Sequence, residues 1–453
     1  MGMIQTFKQA WKIPEMRKKL IFTLIMLIVF RFGSNIPVPG VNKTLLKSMF
    51  DANNAGLFGL FDMFTGGSFS QFTIFALGIG PYITASIVIQ LLTVAIPALE
   101  ELAKQGEEGR KKINQITRYV AIGLALIQGI GYTFGLFRNV LTDSSVLAKI
   151  VITLVLVAGT AFLMWLGEQI DQKGVGNGIS LLIFAGIVSR IPTMISNAFT
   201  YLFKGIATTM NTIDANGNLV PVTVYGGPSL PVRLLIGLAV VIFALAVVVG
   251  IILITEGTRK VPVQYAKRVV GRKMYGGQSS HIPMKVNQAG VIPVIFAVSL
   301  LQIPMTIAYM TGTDSGFYKF VYKYLSSSGN PGAYIYFVFN ILLIIAFTYF
   351  YGQISLNPTE IADNLKNNGG FVPGIRPGKP TVEFIAKIAS RLTIVSAIFL
   401  AIVASIPTLV SALTGASAGF GGTSLIIAIG VALDTQRAIE TQLVMRNYSG
   451  FLK

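Results

Sequence analysis

Apolar residues in this chain are gathered into long uncharged runs separated by shorter polar stretches. A helix needs about 20 apolar residues to cross a bilayer. Runs of that order lie near 20–36, 72–96, 117–137, 146–167, 178–199, 232–255, 289–309, 333–352, 384–409 and 423–443. The last is the most polar: its apolar part stops at Asp434, and Arg437 and Glu440 follow. Such a helix is expected to pack on protein rather than lipid. The pattern predicts an all-α polytopic membrane protein with ten transmembrane helices.

One stretch departs from it. Gly56 to Phe64 is hydrophobic but far too short to span, and Gly66-Gly67 follows it. A glycine pair is where a helix stops or turns sharply. From Phe72 the chain is uncharged as far as Leu99. The reading is a half-helix that dips into the membrane and returns before a full helix crosses. Irregular backbone at membrane depth must be buried in protein or line a watery cavity, so this segment points to a pore.

Basic residues orient the spans. Lys8, Lys12, Arg17, Lys18 and Lys19 precede the first run, and Lys104, Arg110, Lys111, Lys112 and Arg118 lie between the second and third. The same bias marks segments 256–288 and 357–383 as cytoplasmic, so both termini are expected inside. Met1 to Lys19 reads as a basic cytoplasmic lead-in rather than a signal peptide. The polar segment 204–231 divides the chain into 1–203 and 232–453, with five spans in each. An odd number of spans per half allows two inverted, pseudo-symmetric halves around a central path. Arg259 to Lys285 is rich in strand formers, and Gly276-Gly277 predicts a hairpin turn there. In 357–380, Gly and Pro fix an exposed turn around Arg376. Two large, rigidly punctuated basic loops predict a docking surface for a soluble partner.

The net charge of +18 is accounted for by those loops. With no cysteine and a single histidine, His281, disulfides and thiolate metal sites are excluded and a histidine relay has little to use. No metal or other cofactor is expected. Arg31, Glu168, Arg190 and Glu256 sit near span ends, where snorkelling or loop pairing accounts for them. Apart from the weak last run, which holds Asp434, no carboxylate or histidine lies at the middle of a run, which counts against an inverted-repeat transporter of small solutes and against an intramembrane enzyme. No GxxxxGK[ST] phosphate loop occurs, so any transport is driven by a partner. The spans do carry isoleucines at i, i+4 spacing, Ile83 with Ile87 and Ile179 with Ile183. Each pair presents one branched aliphatic face.

Six ordered stretches then resemble the SecY family of bacterial protein-translocation channels. They are RFGSNIPVPG (31–40), MFTGGSFSQFTIFALGIGPYITASIVIQLL (63–92), FLMWLGEQIDQKGVGNGIS (162–180), YAKRVVGRKMYGGQSSHIP (265–283), KVNQAGVIPVIFA (285–297) and NPTEIADNLKNNGGFVPGIRPG (357–378). The resemblance implies an hourglass channel that passes unfolded secretory chains and releases membrane segments sideways through a gate between the second and seventh spans. It implies a pore ring of Ile83, Ile87, Ile179, Ile183, Ile292, Ile295 and Ile427, closed by a plug containing Leu57, Phe58, Leu60, Phe61, Met63 and Phe64. Polar residues Gln90, Gln128 and Asn287 fall on the gate spans and are expected to find one another across the helices. Lys267, Arg268, Arg272, Lys273, Tyr275 and Arg376 become the dock for the SecA ATPase or the ribosome. The implied partners are the small subunits SecE and SecG, SecA, the ribosome, signal-bearing precursors and membrane lipid, with no direct nucleic-acid readout. The implied site of action is the bacterial plasma membrane. The short C-terminal end, poor in basic residues after Arg446, departs from the family.

Overall fold

The computed structural model describes residues 3–42, 44–46, 62, 65–138, 140–143, 145–204, 206–213, 219–226, 229–265, 268–270, 273–275, 279–311, 315–325, 332–414 and 422–450. Its helices are α1 (Met3–Lys12), α2 (Pro14–Gly33), α3 (Gly80–Ala95), α4 (Pro97–Lys104), α5 (Glu107–Ile130), α6 (Val146–Lys173), α7 (Gly178–Lys204), α8 (Leu230–Glu256), α9 (Ile292–Met310), α10 (Gly316–Leu325), α11 (Gly332–Ser355), α12 (Pro358–Asn367), α13 (Lys379–Thr414) and α14 (Gly422–Gly450). A helix therefore covers all or part of every apolar run. Among the described residues, Glu107–Leu136, Val146–Lys173, Leu230–Glu256, Tyr334–Asn367 and Lys379–Ile406 are each long and apolar enough to cross a bilayer unaided. The chain is an integral membrane protein. In α8, mean hydropathy reaches 3.2 with 6% of that stretch buried, which in water would be untenable and in lipid is expected.

Local chemistry sets the helix starts. Proline occupies the first turn of α2, α3, α4, α8 and α12, where its missing N–H costs nothing. Asn357 Oδ1 accepts from Glu360 N at the head of α12, and Ser145 Oγ from Ala148 N at the head of α6.

The second run is where the sequence reading needs correction. It is not one helix over 72–96: residues 65–79 are a chain of turns, and helix begins only at Gly80. Phe72 and Gly78 take φ of +46° and +58°, which no right-handed helix accepts. This irregular segment is almost wholly buried. Its backbone is satisfied by neighbours, with Val38 N donating to Phe72 O and Ile74 N to Ile36 O, each at 3.0 Å. It crosses α6 so closely that a Cβ on Gly159 would stand 1.9 Å from Ile74 O. The far end is also interrupted. The axis turns by 100° between α3 and α4, because Pro97 drives Ile96 into extended backbone at φ −109°, ψ 115°.

Among the described residues, strands lie in three inter-helix regions. The segment read as a plain polar loop, 204–231, holds an antiparallel pair, β1 (Ile206–Ile213) with β2 (Leu219–Gly226). Between α8 and α9 lie β3 (Thr258–Tyr265), β4 (Arg268–Val270), β5 (Lys273–Tyr275) and β6 (Ser279–Lys285). The expected hairpin is present but nested: β3 pairs with β6, and inside it β4 pairs with β5. The innermost described pair is Val270 with Lys273; Gly276-Gly277, where the turn was expected, lies outside the described residues. A last strand, β7 (Gly370–Phe371), adds to β3 and joins the two basic loops into one three-stranded sheet.

Of five apolar cores among the described residues, three are the largest. One lies at the centre of the bundle and draws on α2, α3, α6, α7, α9, α11, α13 and α14. A second, rich in aromatics, packs Phe69, Phe72, Tyr132 and Phe137 with α9 and α10. A third, around Val261, Val263, Met284, Leu365 and Val372, fixes the sheet to the start of α13.

Candidate functional site

The isoleucines singled out by spacing and resemblance come from four separate helices. Ile87 on α3, Ile183 on α7, Ile295 on α9 and Ile427 on α14 are all buried in the central core, and Ile83 and Ile179 pack against it. Ile83, Ile183 and Ile295 line one cavity of about 30 Å³ together with Thr65, Ser299 and Gln302, room for about two waters. Every side chain lining it is uncharged. Leu77, Ile79, Ile83, Ile183, Ile295 and Val298 make most of its wall apolar, and Thr65, Ser299 and Gln302 are its polar side chains. Ile292 does not join the others; it is 44% exposed and lies outside the cluster.

The plug residues Leu57, Phe58, Leu60, Phe61, Met63 and Phe64 lie outside the described residues. Asp62, between them, is described and buried, and it is held firmly. Its carboxylate pairs with Arg190 of α7 and accepts from Ser70 N at 2.7 Å, while its carbonyl accepts from Gly67 N at 2.8 Å. Arg31 of α2 donates to Gly66 O at 3.0 Å, and Ser189 of α7 approaches the same oxygen at 3.5 Å. Gly66 adopts φ +66°, and a Cβ there would lie 2.8 Å from Gly186 Cα. The double-glycine turn is thus clamped by two arginines from two helices. Of the two expected explanations for Arg31 and Arg190, it is pairing to a connecting segment that holds, not snorkelling. Glu168 and Glu256 are also engaged, with Arg118 and, at 2.8 Å, with Arg437. Asp62 was missed by sequence reasoning, although it is the only carboxylate between Asp51 and Glu100.

The expected meeting of Gln90, Gln128 and Asn287 does not occur. Gln90 Oε1 accepts from the Tyr351 hydroxyl of α11. Asn287 Nδ2 donates to Gly290 O at 3.2 Å, and the side-chain oxygens of Asn287 and Gln128 are buried without partners. These side chains lie on different helices or loops, and each answers to its nearest geometry rather than to a shared cluster. Tyr351 had no distinguishing signal in the sequence.

At the sheet-bearing end, Arg376 is exposed in a turn. Ile375 N donates to Val372 O at 3.0 Å, and Thr381 Oγ1 donates to Arg376 O at 2.9 Å. Gly374 and Gly378 flank it at φ +81° and +101°. The backbone is therefore fixed while the guanidinium is free to meet a partner. In the other loop Arg268 faces Tyr275 across β4 and β5, and Lys273 faces Val270. Lys267 and Arg272 lie outside the described residues.

Known proteins share this sequence and fold. The SecY family profile matches residues 73–436. The protein translocase subunit SecY of Halalkalibacterium halodurans is 46% identical over 457 residues, and that of Bacillus subtilis 46% over 459, each covering 100% of both chains. That of Streptomyces scabiei is 42% identical over 466 residues, again covering 100% of both. Among solved structures, one described as a protein conducting channel superposes with a TM-score of 0.65 at 19% identity, covering 94% of this chain and 93% of that one. Sec61 in a canine ribosome–channel complex gives 0.60 at 18%, covering 94% and 93%. At those identities the structures speak for the fold, and the full-length relatives speak for the family. By its family profile and its full-length relatives, this chain belongs to the SecY family.

Proposed function

We propose that this chain is the protein-conducting subunit of a translocon, passing unfolded secretory polypeptides across the plasma membrane and releasing apolar segments sideways into it. The observation that carries the reading is the convergence of Ile83, Ile87, Ile179, Ile183, Ile295 and Ile427 from four helices on one uncharged core. Branched aliphatic side chains form a seal that ions do not cross but that deforms around a passing chain. Residues 56–67 act as the plug beneath it, with the Asp62–Arg190 clamp at its base. The halves 1–203 and 232–453 part around this centre, hinged at 204–231. The transporter alternative is not favoured, since the full-length relatives are translocase subunits.

Both termini lie in the cytoplasm, where the sheet of β3, β6 and β7 presents Arg376 and the Lys267–Tyr275 loop to a SecA-type ATPase or a ribosome. SecE and SecG subunits brace the bundle from within the bilayer. The family likeness and the ribosome-bound structural neighbour support this placement. The test is reconstitution of the chain with SecE, SecG and SecA in proteoliposomes loaded with ATP and a secretory precursor. The expected result is protease-protected precursor. Absence of protection, in vesicles where the Bacillus subtilis relative gives it, would overturn the proposal.

A further inference from the structure

At the end of the bundle opposite the sheet, α9 and α11 are joined through α10, a helix of ten residues, GFYKFVYKYL. At 3.6 residues per turn its side chains fall on successive faces. Tyr318, Val321 and Leu325 share the first, which packs into the aromatic-rich core with α9 and α11. Val321 is 1% exposed. Phe317, Phe320 and Tyr324 share the next, and there the packing stops. Phe317 is 45% exposed and Phe320 56%. Lys319 and Lys323 follow on a third face, and both are exposed. Ser315 Oγ accepts from Tyr318 N at 3.1 Å at the head of the helix, so its first turn is capped.

Core packing accounts for the first face and solvation for the third, but a helix lying in water has no use for the second. That aromatic face is not isolated. Ile307 and Met310 of α9, just before it in the chain, are exposed, and so are Tyr334 and Val338 of α11, just after it. The stretch from Tyr334 is long and apolar enough to cross a bilayer, so its exposed side chains meet lipid. The flank of α10 continues that surface at the point where the spans end. The Phe320 and Tyr324 rings approach to 5.1 Å, and Lys323 Nζ lies 5.3 Å from the centre of the Tyr324 ring. The ammonium thus sits over the aromatic ledge. A lysine whose stem follows apolar groups in this way carries its charge up to the phosphates. Aromatic rings with lysines above them are the chemistry of the bilayer interface.

We propose that α10 is a membrane-surface anchor: Phe317, Phe320 and Tyr324 enter the acyl-chain boundary, and Lys319 and Lys323 bind lipid phosphates above them. The occupant of the exposed face is therefore the bilayer interface and not a second protein. The inference needs only a chain that spans the membrane, and it goes beyond the channel reading without resting on it. Because α10 packs on α9 and α11 together, its seat among the headgroups fixes the height of both helix ends against the membrane surface.

The chain has no cysteine, so Phe317→Cys, Lys319→Cys, Phe320→Cys, Lys323→Cys and Tyr324→Cys, made singly, each carry one nitroxide label. Each variant is reconstituted with SecE and SecG in vesicles of phosphatidylethanolamine and phosphatidylglycerol. Collisions of the label with oxygen and with a water-soluble nickel chelate are then measured. Oxygen concentrates among the acyl chains and the chelate in water, so their ratio reports depth. Labels at 317, 320 and 324 are expected below the phosphates and those at 319 and 323 at or above them, a reversal that follows the helix period. Equal chelate access at all these positions would place α10 in water and overturn the proposal. Labels at 317 and 320 shielded from both reagents would show a protein over the face and overturn it equally. In a second arm, Lys319→Glu/Lys323→Glu with the label at 320 is expected to shift that label toward water, because glutamates are repelled by the anionic surface. An unshifted label would overturn the assignment of the lysines to phosphate. Every readout is of position, so the result holds whether or not the vesicles transport a precursor.

Discussion

Replacing Arg190 by methionine tests the clamp at the double-glycine turn. The Asp62 side chain is 8% exposed and that of Arg190 26%, so the pair is largely withdrawn from water. Removing one member of a buried pair strands the other, at a cost of about 3–5 kcal/mol. The loss is held to the lower part of that range, because Asp62 keeps its bond from Ser70 N at 2.7 Å. About 3 kcal/mol is more than a hundredfold in an equilibrium constant. If the clamp holds the closed state, Arg190→Met should raise resting ion conductance in planar bilayers by a large factor. The double variant Asp62→Asn/Arg190→Met leaves no stranded charge and should recover most of the seal. Reconstituted complex, no precursor and symmetric salt are the conditions that isolate the resting state. A single variant as tight as the original, or a double variant as leaky as the single one, would refute the reasoning.

Replacing Ile83, Ile183 and Ile427 together by serine should wet the constriction and raise resting conductance, measured in the same bilayers. Deleting residues 57–64 should leave a folded channel that flickers open, since a switch of this kind is held by only a few kcal/mol; single-channel recording would show it. Arg376→Glu should abolish motor-driven precursor transport, whereas Arg376→Lys should lower it about tenfold, the worth of one charge-assisted hydrogen bond. Both Arg376 variants should keep the resting seal, because the side chain lies in an exposed turn at the sheet-bearing end.

Bundle architecture was legible because membrane spans advertise themselves. Lipid demands about 20 apolar residues per crossing, and that requirement is local, so each run could be found without knowing its neighbours. The isoleucines that meet in the central core were legible in a weaker sense. Spacing put Ile83 and Ile87 on one face, but only the family resemblance set them apart from isoleucines that face lipid. Ile292, which the same resemblance included, is exposed and lies outside the central core.

Other features depended on contacts between distant parts of the chain. Residues 72–79 look like the start of a helix because they are apolar. They are turns because Ile36, Val38 and Gly159 wait to receive them. The strand β7 is only two residues long, below any sequence signal, and exists because β3 offers it an edge. Arg31 and Arg190 carried a bland local explanation until the fold brought Asp62 and Gly66 between them. Tyr351 is one of sixteen tyrosines, and nothing near it in sequence announces Gln90, 261 positions away. Hydropathy is a property of a segment against its solvent, and the sequence determines it alone: the membrane environment and the helical runs follow from that. A polar bond inside the membrane is a property of a pair, and the partner of Asp62, Gln90 or Asn287 was decided only when packing set which groups came within reach.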